Sequence, residues 1–542
     1  MTEHYLDLLA RTISENWDQP ALTDFYLTAD GTAQDTTRGN HYTYGEMYLE
    51  MLRVGKMLRA LGIRHGDHIA ICGGNSSNWA VAYLAIAAYQ GVTVTVLHTQ
   101  ATEDIARQID FSDAVALFTD SSLWSQLKQQ NMPQVKHVIF LDDLKPLETM
   151  ADIEPADEKP ALPITIPHGS MDDLDLICFT SGSTGTAKGI MLSYRNLSAS
   201  AKGVADVCVM HENRKTVSFL PLSHAYVLGG QLVTPLTYGN HVYSLCEVKS
   251  PSDMFRSFVI IQPFLLFVVP LLVSKLGEPS LKPLLPLITK NLEYLVIGGA
   301  KFPIEVENGL VQAGVPIAPG YGVTETAALI SLSNISHHRL GASGKVTSTL
   351  TARIAPNGEI LVKGENVMLG YYKDPEATAR KIDKDGWLHT GDRGRLDEDN
   401  YLYVEGRLEQ DIIVLPNGEN IHPEDIESKI NALPEVAESI VLARDGKLVA
   451  LVHIESKDCR DFYPSPLRGT PLSMGSSAED QETRQHGCEA ETLERSDKEL
   501  RLHILRTVNP QLPLYSQLYD VEFLDAPLQR TEKQTIKRYL YK

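Results

Sequence analysis

The sequence predicts an α/β protein: a large N-terminal domain of two α/β layers plus a small β-barrel, followed by a small α+β C-terminal domain. Three observations carry this. Short apolar runs alternate with helical patterns from Thr43 onward, the signature of a mostly parallel sheet covered by helices. The alternation resumes after Gly189, and from about Leu340 the texture changes to short strands and turns.

The elements follow in order. Thr43-x-x-Glu46 is a capping box opening an amphipathic helix through about Leu61, because a threonine hydroxyl and a glutamate three residues on can satisfy each other's backbone N–H groups. The run His68–Cys72 is a strand, followed by a helix around Trp79–Tyr89, a strand run at Val92–Leu97 and a helix from near Thr102. Ala114–Phe118 and His137–Leu141 are further buried strands, and Val217–Leu220 and Leu292–Ile297 belong to the second layer. Asn357-Gly358 between Arg353-Ile354 and Ile360–Val362 marks a hairpin. With the turns at Asp383–Gly386 and Asp397–Asn400 it places the barrel at about 340–406, inside a large domain of residues 1–407. The small domain then spans 408–542, with residues 456–496, polar and without apolar periodicity, as an insertion.

Composition narrows the function. A 542-residue chain exceeds one hydrophobic core. Its net charge of −20, from 49 basic and 69 acidic residues, argues against sequence-independent nucleic-acid binding. The six cysteines, at 72, 178, 208, 246, 459 and 488, lack metal-ligand spacing and read as buried free thiols. The start of the chain lacks the basic-then-apolar layout of a secretory signal, so a reduced, cytoplasmic protein is expected. The most apolar stretch, Phe258–Val273, is short for a membrane span and contains Gln262, Pro263 and Pro270.

Chemistry concentrates in a few segments. Thr180-Ser181-Gly182-Ser183-Thr184-Gly185-Thr186-Ala187-Lys188-Gly189 follows the apolar run Leu176–Phe179. Small residues let N–H groups close around phosphate oxygens, hydroxyls add donors and Lys188 adds charge. The run departs from a Walker loop, since Ala187 precedes the lysine and Gly189 follows it. Tyr321-Gly322-Val323-Thr324-Glu325 offers an aromatic to stack on a purine, a hydroxyl for a phosphate and a carboxylate for Mg²⁺. Thr390-Gly391-Asp392 sets a carboxylate suited to vicinal ribose hydroxyls, and Gly406-Arg407 supplies a guanidinium fork.

On these segments, their order and their separation, the chain resembles the adenylate-forming superfamily of acyl-CoA synthetases, nonribosomal-peptide adenylation domains and beetle luciferases. The resemblance implies two half-reactions in one cleft. A carboxylate attacks the α-phosphate of Mg·ATP to give an acyl-adenylate and pyrophosphate; a thiol, usually that of CoA, then displaces AMP. It implies that Thr180, Ser181, Gly182, Ser183, Thr184, Gly185 and Lys188 hold the triphosphate. Gly298, Gly299 and Ala300 would line the adenine pocket, with Tyr321 and Gly322 at the base. Thr324 would meet the α-phosphate, Glu325 would hold Mg²⁺, and Asp392 and Arg407 would grip the ribose. Glu409 falls at the hinge about which a mobile small domain would rotate. His224 is similar to the histidine beside the acyl carboxylate; the alternative is a hydrogen-bonded histidine at a strand end.

One departure stands out. Aligning on Thr531 and on Ile536-Lys537-Arg538 puts Thr535 where the family has an adenylation lysine, unless Lys533 or Lys537 reaches the site instead. No carrier-protein segment follows, and the stretch 413–424 with the end 536–542 looks most like bacterial long-chain fatty-acyl-CoA synthetases. The expected partners are a fatty acid, ATP and CoA. A lipid acid would allow peripheral membrane contact. Phe264–Leu272 with Val227–Leu232 read either as an acyl tunnel or as plain core. Two alternatives remain open: a degenerate nucleotide- or acyl-adenylate-binding protein, and an acyl-AMP ligase serving a separate carrier.

Overall fold

The capping box forms in full. The Thr43 hydroxyl accepts from the Glu46 N–H at 3.1 Å, and Glu46 Oε2 accepts from the Thr43 N–H at 2.8 Å, opening the helix Tyr44–Ala60. The computed structural model of the chain describes residues 2–148, 153, 159–180, 188–248, 250–275, 284–300, 302–408, 413–414, 420–421, 423–444, 447–454, 497–512, 516–530, 536 and 538–541. Its contacts divide into two units, Met1–Glu405 and Gly406–Lys542.

Two large sheets build the first unit. In one, strands Leu174–Thr180, Val92–Thr95, His68–Cys72, Ala116–Thr119 and His137–Phe140 lie side by side and parallel. Lys188–Ser193 returns antiparallel to Leu174–Thr180, and Gly370–Tyr371 adds the edge beyond it. In the other, Ile317–Tyr321, Tyr294–Ile297, Leu265–Val268, Lys215–Ser218, His241–Leu245 and Pro20–Phe25 run parallel. Pro20–Phe25 joins this second sheet although it precedes every strand of the first, a crossing that no local pattern announces. Helix Ser77–Ala88 is buried on nearly every residue and packs on strands of both sheets, which is why its sequence is apolar all round.

The hairpin at Asn357-Gly358 forms with Ile354 opposite Ile360, and Gly358 takes the positive φ of +86° that the turn demands. The region expected as a barrel is a four-stranded antiparallel half-barrel sheet in the order Leu350–Ile354, Glu359–Gly364, Leu388–Leu396, Leu402–Arg407. The apolar stretch 258–273 divides among the helix Pro251–Ile261, the strand Leu265–Val268 and the helix Pro270–Lys275. Among the described residues no helix is long and apolar enough to cross a membrane. Phe264, Leu265, Phe267, Val227, Leu228 and Leu232 are all buried as core. Cys72, Cys178 and Cys208 are buried free thiols and Cys246 is partly exposed; Cys459 and Cys488 lie outside the described residues.

The second unit is α+β. Strands Glu438–Arg444, Lys447–His453 and Asp520–Leu524 form its sheet, and Ile426, Ile430, Leu500, Ile504 and Val508 pack together from helices Pro423–Ile430 and 497–508. The insertion 456–496 lies outside the described residues.

Candidate active site

Ligands of parallel α/β sheets gather beyond the carboxyl ends of the strands; Thr180 and Tyr321 end such strands and Gly298 follows one, whereas Asp392 lies within the antiparallel strand Leu388–Leu396. Thr180 pairs with Lys188 across the two strands, so the ends of the segment 181–187 are held together. Ser181, Gly182, Ser183, Thr184 and Gly185 themselves lie outside the described residues, as do Glu409, Lys533, Thr535 and Lys537.

Lys188 and Glu325 meet through a residue that sequence reasoning missed. The Tyr371 hydroxyl donates to Glu325 Oε1 at 2.8 Å, and the Lys188 ammonium stands 5.0 Å from the centroid of the Tyr371 ring. Glu325 sits in a 3₁₀ turn, Thr324–Thr326, which Gly322 and Val323 join to the strand Ile317–Tyr321. This turn is tightly closed: Ala327 and Ala328 both have positive φ, +46° and +63°. A Cβ on Gly322 would lie 2.1 Å from the Ala328 carbonyl oxygen, so only glycine fits. The one sequence cue for Tyr371 is an aromatic after Gly370 in a short strand, too common a pattern to single it out.

Tyr321 turns to the half-barrel sheet, where its hydroxyl donates to Asp392 Oδ2 at 2.5 Å. Asp392 is 5% exposed. Its neighbours are fixed: the Thr390 hydroxyl donates to the Ile360 carbonyl at 2.7 Å, and Glu359 accepts from the Gly391 N–H at 3.0 Å. Arg407 ends the strand Leu402–Arg407 and belongs to the second unit.

Gly298 follows the strand Tyr294–Ile297, whose Ile297 pairs with Pro319 on the way to Tyr321. Tyr226 packs against it: a Cβ on Gly298 would meet that ring at 3.3 Å. Burial, with Cys208 adding to it, raises the Tyr226 pKa, so its hydroxyl stays a donor to the Val268 carbonyl at 3.3 Å. Gly299 and Ala300 are exposed beyond it. Two residues before Tyr226, half-buried His224 precedes the short helix Ala225–Val227 without capping it through its side chain, and its loop is tied down from the first sheet. The Asn75 amide donates to the Leu220 carbonyl at 2.7 Å and accepts from the Leu222 N–H at 3.0 Å, while the Thr95 hydroxyl donates to the Ser223 carbonyl at 2.9 Å. Nothing in the sequence around Asn75 or Thr95 marks either as a positioning group.

At the Tyr371 ring the site brings together one cation, Lys188, and one carboxylate, Glu325. No group of three or more His, Cys, Asp or Glu among the described residues could hold a metal ion. Tyr371 occupies one Glu325 oxygen, and Oε2 takes no protein hydrogen bond among the described residues. A single hard oxygen ligand suits Mg²⁺, which keeps its waters and arrives on a polyphosphate.

The AMP-binding enzyme family matches residues 9–372. The 4-coumarate–CoA ligase-like 2 protein of Arabidopsis thaliana is 28% identical over 446 residues, covering 75% of this chain and 75% of its own. The Homo sapiens protein named long-chain-fatty-acid–CoA ligase ACSBG1 is 25% identical over 482 residues, covering 76% of this chain and 66% of its own. In fold, the chain is similar to ATP-bound MatB from Rhodopseudomonas palustris, with a TM-score of 0.76, 22% identity and 99% and 98% of the two chains covered. It is likewise similar to O-succinylbenzoate coenzyme A synthetase (MenE) from Bacillus subtilis in complex with AMP, with a TM-score of 0.74, 23% identity and the same coverage.

Proposed function

The chain belongs to the AMP-binding enzyme family of adenylate-forming CoA ligases, and from that premise we propose that it activates a fatty acid with ATP and transfers the acyl group to CoA. The observation that carries this reading is the linkage of Lys188, Tyr371 and Glu325 beside Tyr321 and Asp392. We read the first group as the phosphate end of the site and the second as its nucleoside end; Tyr321 and Glu325 are four residues apart in the chain.

The chemistry is a pair of displacements. The acid's carboxylate oxygen bonds to the α-phosphorus of ATP as the α–β anhydride breaks, and pyrophosphate leaves. The CoA thiolate then bonds to the acyl carbon as the acyl–phosphate bond breaks, and AMP leaves. Phosphoryl attack of this kind needs mainly positioning and charge stabilisation. Lys188 would draw negative charge from the phosphates, Glu325 would hold Mg²⁺, and the hydroxyl of Thr324 would meet the α-phosphate. Mg²⁺ supplies charge neutralisation on the polyphosphate. Asp392, with Arg407, would hold the ribose, and Tyr321 the base. His224 would sit beside the acid, and the small domain would turn about Glu409. Fatty acids are the chosen class because some relatives are named for long-chain acids, although others are named for 4-coumarate.

The test is AMP and acyl-CoA formation by the purified protein with ATP, Mg²⁺, CoA and acids from acetate through long-chain to aromatic. Turnover with fatty acids is expected. Turnover only with aromatic acids would replace the acid class, and thioester formation on a carrier protein but not on CoA would replace the acceptor. Thr535 favours a second reading, a nucleotide- or acyl-adenylate-binding protein with weak adenylation. ATP binding without AMP formation from any acid would select it.

A further inference from the structure

We propose that Tyr371 is a positioning residue for the polyphosphate end of the site, setting the Glu325 carboxylate with its hydroxyl and the Lys188 ammonium with its ring face. This rests on the nucleotide-binding part of the proposed function.

The backbone places Tyr371 between its two charges. Residues 370 and 371 pair with Met191 and Ile190 of the strand that Lys188 opens. The Tyr372 N–H donates to the Gly189 carbonyl at 2.7 Å, and the Met368 N–H donates to the Glu325 carbonyl at 2.9 Å. One five-residue stretch is therefore bonded to both the lysine strand and the glutamate turn. Its far end is pinned by Lys373, whose ammonium reaches the Phe111 carbonyl at 2.9 Å and Asp113 at 2.7 Å. Tyr371 is 7% exposed, and its N–H donates to the Thr378 hydroxyl at 2.9 Å, so the ring stays in place.

The chemistry explains why a phenol belongs there. A lysine and a glutamate this near a common ring would pair directly if nothing intervened, and each would then be neutralised before a ligand arrived. Among the described residues Lys188 and Glu325 form no ion pair; each meets Tyr371 instead. The aromatic face attracts the cation and the hydroxyl holds one carboxylate oxygen, leaving Oε2 for a metal and the ammonium for phosphate.

The experiment is calorimetric ATP binding to the full chain, with and without Mg²⁺ and without acid or CoA. Wild type is compared with Tyr371→Phe, Tyr371→Leu and Glu325→Gln. Tyr371→Phe keeps the ring, so metal-free ATP binding should match wild type while the gain from Mg²⁺ falls about tenfold, the size of a lost hydrogen bond to a charged group. Glu325→Gln should lose the same gain, and Tyr371→Leu should also weaken metal-free binding. A wild-type Mg²⁺ gain in Tyr371→Phe overturns the proposal. So does an equal loss with and without metal, which would mark a structural role. ATP binding by wild type here, with no AMP formed from any acid in the turnover assay above, would overturn only the ligase reading; no ATP binding at all would overturn both.

Discussion

The Tyr321 hydroxyl donates to Asp392 Oδ2 across 71 positions of sequence. It ties the end of a parallel strand to the half-barrel sheet, so the residue expected at the base and the residue expected at the ribose are fixed relative to each other. Asp392→Ala removes both the hydrogen bond and the proposed ribose acceptor, and should weaken ATP binding about ten- to a hundredfold. Tyr321→Phe keeps the stacking ring and should cost less than Asp392→Ala. Equal ATP affinity in wild type and Asp392→Ala would remove Asp392 from the site.

Gly322→Ala tests the turn that presents Glu325. Its new methyl would meet the Ala328 carbonyl oxygen at 2.1 Å and the Leu329 nitrogen at 2.6 Å, backbone atoms that no rotamer change can move. Overpacking of this kind costs about 1–3 kcal/mol. A lower melting temperature and weaker ATP binding are expected together; an unchanged melting temperature would contradict the close approach.

Asp175 gives a pH dependence. It is fully buried, Oδ2 accepts from the hydroxyls of Tyr5 at 2.9 Å and Tyr83 at 3.3 Å, and Oδ1 has no partner among the described residues. Burial raises its pKa from 3.8 to about 7, while the two hydroxyls pull it down. The folded protein thus keeps a proton that the unfolded chain releases above 3.8, so this group makes stability fall as pH rises towards about 7. Asp175→Asn mimics the protonated acid. Its melting temperature relative to wild type should climb between pH 4 and 7 and level off above; parallel curves would show that Asp175 does not titrate there.

Thr535→Lys tests the departure at the C-terminal end of the chain. Arg530 and Ile536, which bracket the position, form an isolated antiparallel bridge. If the first half-reaction lacks a cation there, restoring one should raise pyrophosphate release about a hundredfold, the value of one transition-state donor. An unchanged rate would mean that Thr535 does not limit adenylation.

Local signals were legible from the chain itself. The Thr43 cap, the strand His68–Cys72 and the Asn357-Gly358 hairpin appear where periodicity and turn chemistry put them, because each depends on residues a few positions apart. The segments bearing Lys188, Glu325 and Asp392 stood out by residue type, and the structure gives two of them, Lys188 and Glu325, a common neighbour in Tyr371. Tyr371 was not: it lies 46 residues from Glu325 and 183 from Lys188, and nothing in Gly370-Tyr371 says which strand it will join. Nor did the sequence reveal that Asn75 and Thr95 hold the His224 loop, or that Pro20–Phe25 enters the second sheet. Residue type and short spacing determined which groups this protein carries. Only tertiary structure decided which of them touch, because long-range strand pairing answers to the burial of whole sheets and leaves no periodic trace in any one segment.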